Sequence, residues 1–142
     1  MMNSQINAAA EQRQARHPRE ERFFAGTHLI IDLSEASRLD ELDHVEQAMR
    51  EAVEAAGATL LQINLHHFTP NGGITGVAIL AESHISIHSW PERAYAAIDI
   101  FMCGDAQPQL AIPVLKAAFR PGRVEVSTLH RGIGITAAAA AE

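Results

Sequence analysis

The chain has one cysteine, Cys103, in 142 residues, so no intramolecular disulfide can form and the fold must rest on its core. No apolar run approaches the ~20 residues of a membrane-spanning helix. The N-terminal stretch MMNSQINAAAEQRQARHPREER lacks the apolar core of a secretory signal. Cations are scarce: 11 Lys and Arg against 17 Asp and Glu give a net charge of −6, which leaves no basic footprint for nucleic acid. Aromatic residues are only 5%, so aliphatic side chains and alanine, within a 47% hydrophobic composition, must do the packing. These absences leave a single cytoplasmic domain as the expectation, over residues 23–136. Residues 1–22 read as a disordered tail, and residues 137–142 as a frayed, alanine-rich end.

Hydrophobic periodicity then supplies the elements. GTHLIIDLS, Gly26 to Ser34, alternates as a strand with Leu29, Ile31 and Leu33 on one face. Ser34 or Ser37 is expected to cap a helix whose stripe is Leu39, Leu42, Val45, Met49, Val53 and Ala56, with Gly57 at its C-terminal end. TLLQINLHHF, Thr59 to Phe68, reads as a strand, and the breakers of TPNGG follow as a turn. Strands are expected over Ile74–Ala81, Ile85–Trp90, Tyr95–Cys103 and Val124–Leu129. A second helix begins after GDAQPQ with Asp105 as its cap, although Pro113 would remove a hydrogen bond from its interior unless the helix starts later. The middle strands are joined by short turns and must run antiparallel, since parallel pairs need long crossovers. The expected fold is α+β: a two-layer sandwich of one mostly antiparallel sheet with both helices on one face.

The stretch ESHISIH interrupts an apolar run with Glu82, Ser83 and His84. Polar groups in a buried strand cost free energy unless partnered, so they mark a turn, a chemical site, or both. A metal is weighed first, with His66, His67, His84, His88 and Cys103 as donors. HISIH on a strand separates its histidines by about 13 Å, at ~3.3 Å per residue, too far to hold one ion. Adjacent His66 and His67 face opposite ways, and no metal is expected. A hydrolase would use Ser83 as nucleophile, but there is no G-x-S-x-G elbow, and no acid is obviously placed to orient a histidine. A plain polar hairpin turn remains open. So does self-cleavage, in which Ser83 attacks the carbonyl of its own preceding peptide bond. The resulting ester then eliminates, with His88 as candidate base for the α-proton and Thr75 as candidate oxyanion partner, leaving a pyruvoyl ketone.

ESHISIHSWPERAYAAIDIFMCGD resembles the signature of the prokaryotic pyruvoyl-dependent S-adenosylmethionine decarboxylase proenzymes. HLIIDL, EAAGATLL, HHFTP and GITGVAILAES extend the similarity from about Gly26 to about Gly132. The resemblance implies cleavage between Glu82 and Ser83, giving a β chain to Glu82 and an α chain whose Ser83 becomes a covalent pyruvoyl group that forms a Schiff base with substrate. It implies His88 as processing base, Thr75 as oxyanion partner and Cys103 as the general acid that protonates the product carbon. It assigns Phe68 to stacking on adenine and Glu92 to the ribose hydroxyls. It further implies decarboxylated S-adenosylmethionine for spermidine synthesis as product, and a homodimer of cleaved protomers. The alternatives are an arginine or ornithine decarboxylase on the same scaffold, and a non-enzymatic α+β binding protein with ESH as a plain turn.

Overall fold

The structure is a computed structural model that describes residues 23–135, so the tail expected over residues 1–22 and the end expected over 137–142 lie outside the described residues. Its elements are β1 (Gly26–Ser34), α1 (Leu42–Ala55), β2 (Leu60–His67), β3 (Ile74–Leu80), β4 (Ser83–Trp90), β5 (Tyr95–Cys103), α2 (Ala111–Phe119) and β6 (Arg123–Arg131). The six strands form one sheet in the order β2-β3-β4-β5-β1-β6. The β2–β3, β3–β4, β4–β5 and β5–β1 pairs run antiparallel. This is the expected α+β sandwich. Of the two connections that contain helices, β1 to β2 passes three strands and β5 to β6 passes one, while the meander from β2 to β5 needs only short turns.

Alternation divides each strand between two environments. Leu29, Ile31 and Leu33 of β1, Ile85 and Ile87 of β4, and Ile98, Ile100 and Met102 of β5 are buried, and they join the helices in one core. The α1 stripe Val45, Ala48, Met49, Ala52 and Val53 packs there with Ala111, Leu115 and Phe119 of α2. Burying an aromatic side chain the size of Phe119 contributes roughly 1.5–3 kcal/mol. With aliphatic residues and alanine supplying nearly all of this core, the sparse aromatics are free to lie elsewhere.

The helix ends differ in part from expectation. Gly57 terminates α1 as predicted: its φ is +71°, its N–H donates to Glu54 O, and the Ala58 N–H reaches back to Val53 O, a Schellman arrangement. Neither serine caps the start. Glu41 occupies the N-cap without a side-chain cap bond, and Ser37 Oγ instead donates to Phe119 O, tying the β1–α1 connection to the end of α2. Asp105 is not a cap either. A 3₁₀ turn, Pro108–Leu110, precedes α2, and Pro113 is the third residue of that helix, where its missing N–H is one of the orphans of the first turn.

Two compact units are distinguished. Residues 26–129 hold the helices and most of the sheet. In the described part of the other unit, the rings of Phe24 and His130 stack at 4.1 Å and the Ala25 N–H donates to Arg131 O. No helix among the described residues is long and apolar enough to cross a membrane.

Among the described residues, Ser89 is the buried polar residue of the core, 1% exposed. Its Oγ accepts the Ile74 N–H at 3.0 Å and donates to Leu39 O at 2.9 Å, so it joins β4 to the start of β3 and to the loop before α1. Ser89→Ala strands both backbone groups. We expect it to lower stability by about 1–3 kcal/mol, read as a lower denaturant midpoint at unchanged slope. An unchanged midpoint would show that neither bond contributes.

Candidate functional site

The face of the sheet turned away from the helices carries the chemistry. Along β5, Tyr95, Ala97, Asp99, Phe101 and Cys103 lie on it, while the alternate residues are buried. Register sets Ser86 of β4 and Ile30 of β1 on either side of Asp99. It pairs Thr75 of β3 with His88 of β4. Two groups of residues result, at opposite ends of β4.

The first group surrounds the β3–β4 hairpin. Leu80 pairs with Ser83, so Ala81 and Glu82 are the turn, and β4 begins two residues earlier than expected, at Ser83 itself. Two-residue hairpins favour positive φ at the turn residues. Ala81 and Glu82 do not take it; Ser83 does, at 144°, a conformation that costs an L-residue of order 1–3 kcal/mol and concentrates at functional sites. The turn is held by Thr59, whose O accepts the Ala81 N–H and whose N–H donates to Glu82 Oε1 at 2.8 Å. The Glu82 carbonyl oxygen accepts the backbone N–H of Cys103 at 3.0 Å. The bond between Glu82 and Ser83 is therefore strained on one side and has its carbonyl polarised by a fixed donor on the other.

Ser83 Oγ lies 2.9 Å from His84 Nδ1. His84 Nε2 lies 3.2 Å from Asp99 Oδ2, and His28 Nε2 reaches the same oxygen at 2.8 Å. Ser86 Oγ donates to Asp99 Oδ1. Burial alone would raise the Asp99 pKa, but the bonds from Ser86, His28 and His84 together outweigh it and hold the carboxyl below its ordinary value. An ionised Asp99 only accepts, so each histidine presents a protonated Nε2 to it, and neutral His84 keeps a bare Nδ1 toward Ser83. Among the described residues this is also the trio whose ligand atoms come within 4.8 Å of one another. The donors weighed from sequence, His66, His67, His88 and Cys103, do not join such a group among the described residues.

The second group lies toward the other end of β4. Thr75 Oγ1 and His88 Nδ1 are 2.6 Å apart. The rings of Phe68 and His88 lie 6.2 Å apart, those of His88 and Trp90 4.1 Å, and those of Trp90 and Tyr95 5.3 Å. Tyr95 OH donates to Asp32 Oδ1 at 2.5 Å. That bond, helped by burial, pushes the phenol up to about 12. Phe68, Asn71, His88 and Trp90 line a pocket of about 230 Å³. Glu92 sits exposed in the 3₁₀ turn that follows Trp90.

Of the residues singled out in the sequence, the fold brings Glu82, Ser83 and Cys103 together at one end, and Thr75, His88 and Phe68 together near the other. It does not bring His88 to Ser83 within one chain. Both lie on β4, five residues and so about 16 Å apart at ~3.3 Å per residue. Sequence reasoning missed Asp99, His28 and Ser86, and with them the acid that orients a histidine. Period-two alternation along Tyr95–Cys103 is a signal that puts Asp99 on the face of Cys103; its partners follow only from strand register.

The chain is similar to proteins of one family. A family profile described as S-adenosylmethionine decarboxylase matches residues 27–132. An S-adenosylmethionine decarboxylase proenzyme of Thermomicrobium roseum is 48% identical over 109 residues, covering 76% of this chain and 94% of that protein. A proenzyme of the same description from Methanococcus vannielii is 48% identical over 111 residues, covering 76% and 90%. The crystal structure of the adenosylmethionine decarboxylase from Aquifex aeolicus superposes with a TM-score of 0.73 at 32% identity, over 80% of this chain and 95% of that one.

Proposed function

The chain belongs to the S-adenosylmethionine decarboxylase family, and from that premise we propose that it cuts itself between Glu82 and Ser83 and then decarboxylates S-adenosylmethionine. The observation that carries the reading is the Glu82–Ser83 bond itself: positive φ at Ser83, a hydroxyl adjacent to its own acyl carbonyl, and that carbonyl bound by the Cys103 N–H. These features suit conversion of Ser83 into a covalent pyruvoyl group. They support attack of Ser83 Oγ on the Glu82 carbonyl carbon, followed by loss of the Ser83 α-proton and departure of Glu82 as a carboxylate; the dehydroalanine left at residue 83 tautomerises to an imine, which water hydrolyses to the ketone with release of ammonia. The product is a β chain ending at Glu82 and an α chain starting at residue 83.

The pyruvoyl group supplies an electrophilic ketone that draws off electrons as the substrate carboxylate leaves as carbon dioxide. This chain's own residues bind and protonate. Phe68 offers an exposed face for adenine, and Glu92 a carboxylate for the ribose hydroxyls. Cys103, exposed at the end of β5 beside the scissile carbonyl, delivers a proton to the product carbon. No metal has a part in this scheme. Decarboxylated S-adenosylmethionine, the aminopropyl donor for spermidine, is released, and the cytoplasm is the compartment that fits.

The gap of about 16 Å between Ser83 and His88 has a simple resolution in a homodimer. A two-fold axis through the open face sets the His88 and Thr75 end of one protomer against the Ser83 end of its partner, making each site from two copies. The same face leaves Ile30 and Ile79 about two-fifths exposed, apolar area that a second copy would cover.

The substrate is tested by measuring labelled carbon dioxide released from S-adenosylmethionine, arginine and ornithine side by side. We expect release from S-adenosylmethionine alone. Glu92→Gln should lower kcat/KM by about 5- to 150-fold, the equivalent of the roughly 1–3 kcal/mol lost when a hydrogen-bonding partner is removed. Release from arginine or ornithine instead would keep the scaffold reading and overturn the substrate. A wild-type protein that never divides into two chains would favour a plain binding protein.

A further inference from the structure

Within the proposed self-cleavage, the geometry points to His84, oriented by Asp99, as the base that takes the hydroxyl proton of Ser83 and passes it to the departing nitrogen. This rests on the self-cleavage reading and assigns a residue to the step that neither Thr75 nor His88 of the same chain can reach. The groups involved are already within hydrogen-bonding distance. Ser83 Oγ sits 2.9 Å from His84 Nδ1, and His84 Nε2 sits 3.2 Å from Asp99 Oδ2. Ser86 and His28 fix the carboxylate from β4 and β1. His84 pairs with Ile79 across β3, so no charge from that side competes for its ring.

The step balances without any other reactant. The Oγ–C bond to Glu82 forms as the hydroxyl proton moves to His84 Nδ1. The carbonyl π pair moves onto the Glu82 oxygen, where the Cys103 N–H already points. When the tetrahedral centre collapses, the C–N bond breaks and the proton held on His84 goes to the Ser83 nitrogen. An amide has become an ester with a free amine, and His84 is again neutral. Asp99 stabilises the transient imidazolium without taking its proton. His84 thus governs formation of the ester, and the base that removes the Ser83 α-proton governs its elimination.

Those two steps separate experimentally, because hydroxylamine cleaves an ester and spares an amide. Purified His84→Ala, His88→Ala and wild-type proteins are followed by intact mass, with and without hydroxylamine. The wild type divides into two chains unaided. His88→Ala accumulates ester and is cut on adding hydroxylamine. His84→Ala is slowed about 100- to 10,000-fold, the usual worth of a positioned base. It stays whole in hydroxylamine and recovers part of its rate when imidazole is added. Should His84→Ala fail to fold, His84→Gln serves in its place, since its amide reaches Asp99 but takes up no proton. His84→Ala or His84→Gln cleaving at the wild-type rate, or accumulating ester as His88→Ala does, overturns the assignment. A wild type that stays whole overturns the self-cleavage reading as well, so the two failures are told apart.

Discussion

Ser83→Ala stays a single 142-residue chain through any incubation and releases no carbon dioxide from S-adenosylmethionine. The expectation is absolute because one residue does two jobs in the proposed scheme. In that scheme Ser83 Oγ is the nucleophile that turns the Glu82–Ser83 amide into an ester, and what remains of the residue becomes the electrophile of the mature enzyme. Thr59, just before β2, and Thr75, on β3, also carry hydroxyls. Thr59 meets the turn through its backbone, and Thr75 is committed to His88. Neither replaces a nucleophile that sits next to its own target carbon, where positioning alone is worth about 7–11 kcal/mol. The substitution also removes nothing that folding needs: Ser83 Oγ contacts His84 at the start of β4 rather than in the core, so the variant should unfold at the midpoint of the uncut wild-type precursor. Intact mass is the direct readout. Two chains from Ser83→Ala, or turnover by its single chain, would dismantle the reading from its first step.

The second large effect is a rescue. His88→Ala and Ser83→Ala should each fail to mature as homodimers. Mixed after partial denaturation and refolding, or produced together, they should form heterodimers in which the intact Ser83 of one copy meets the intact His88 of the other. About half of the His88→Ala chains should then be cut and no Ser83→Ala chain should be, as random pairing about a two-fold axis requires. The separation of about 16 Å on β4 makes this outcome diagnostic. A site built within one protomer cannot be restored by a partner defective in the same site. A mixture that stays uncut, or His88→Ala that matures alone at the wild-type rate, would remove His88 from the processing step.

What the sequence made legible follows the range of the interactions involved. The α1 stripe and the Gly57 stop are local, governed by 3.6-residue periodicity and by a single φ; Val45, Met49, Val53 and Gly57 are found where periodicity places them, while Leu39 is buried ahead of a helix that starts only at Leu42. The alternation over Tyr95–Cys103 likewise separates Asp99 and Cys103 from the core before any fold is known. Caps were less legible. Ser37 has the right chemistry for an N-cap and stands near the right place, but it bonds a carbonyl 82 residues away, and a tertiary partner overrode the local one. Asp99 shows the same limit at the site. Its residue type and face were visible, yet its bonds to Ser86, His28 and His84 depend on which strands are neighbours, and β1 lies beside β5 only after a long excursion through α1 and the meander. The gap between Ser83 and His88 is legible in principle, being a matter of residues along one strand. It stays hidden when both residues are given to one chemical event, because a shared role suggests proximity within one chain.

The order of strands in the sheet has a consequence for the matured protein. Cutting before Ser83 assigns β1, β2 and β3 to one product and β4, β5 and β6 to the other. In space these alternate: the seams β3–β4, β5–β1 and β1–β6 each join strands of different products. The fragments are interleaved like the fingers of two hands, with β1 gripped on both sides by its severed companion. Maturation thus leaves the hydrogen-bonded sheet continuous while removing the covalent tether that made unfolding unimolecular. After the cut, unfolding yields two separate molecules, and reassembly depends on their meeting. The midpoint of thermal unfolding should fall on dilution for the cut form, even if the assembly never exceeds one heterodimeric protomer. Activation therefore makes recovery from heat a matter of concentration: what an intact precursor regains by itself, a dilute mature enzyme loses for good.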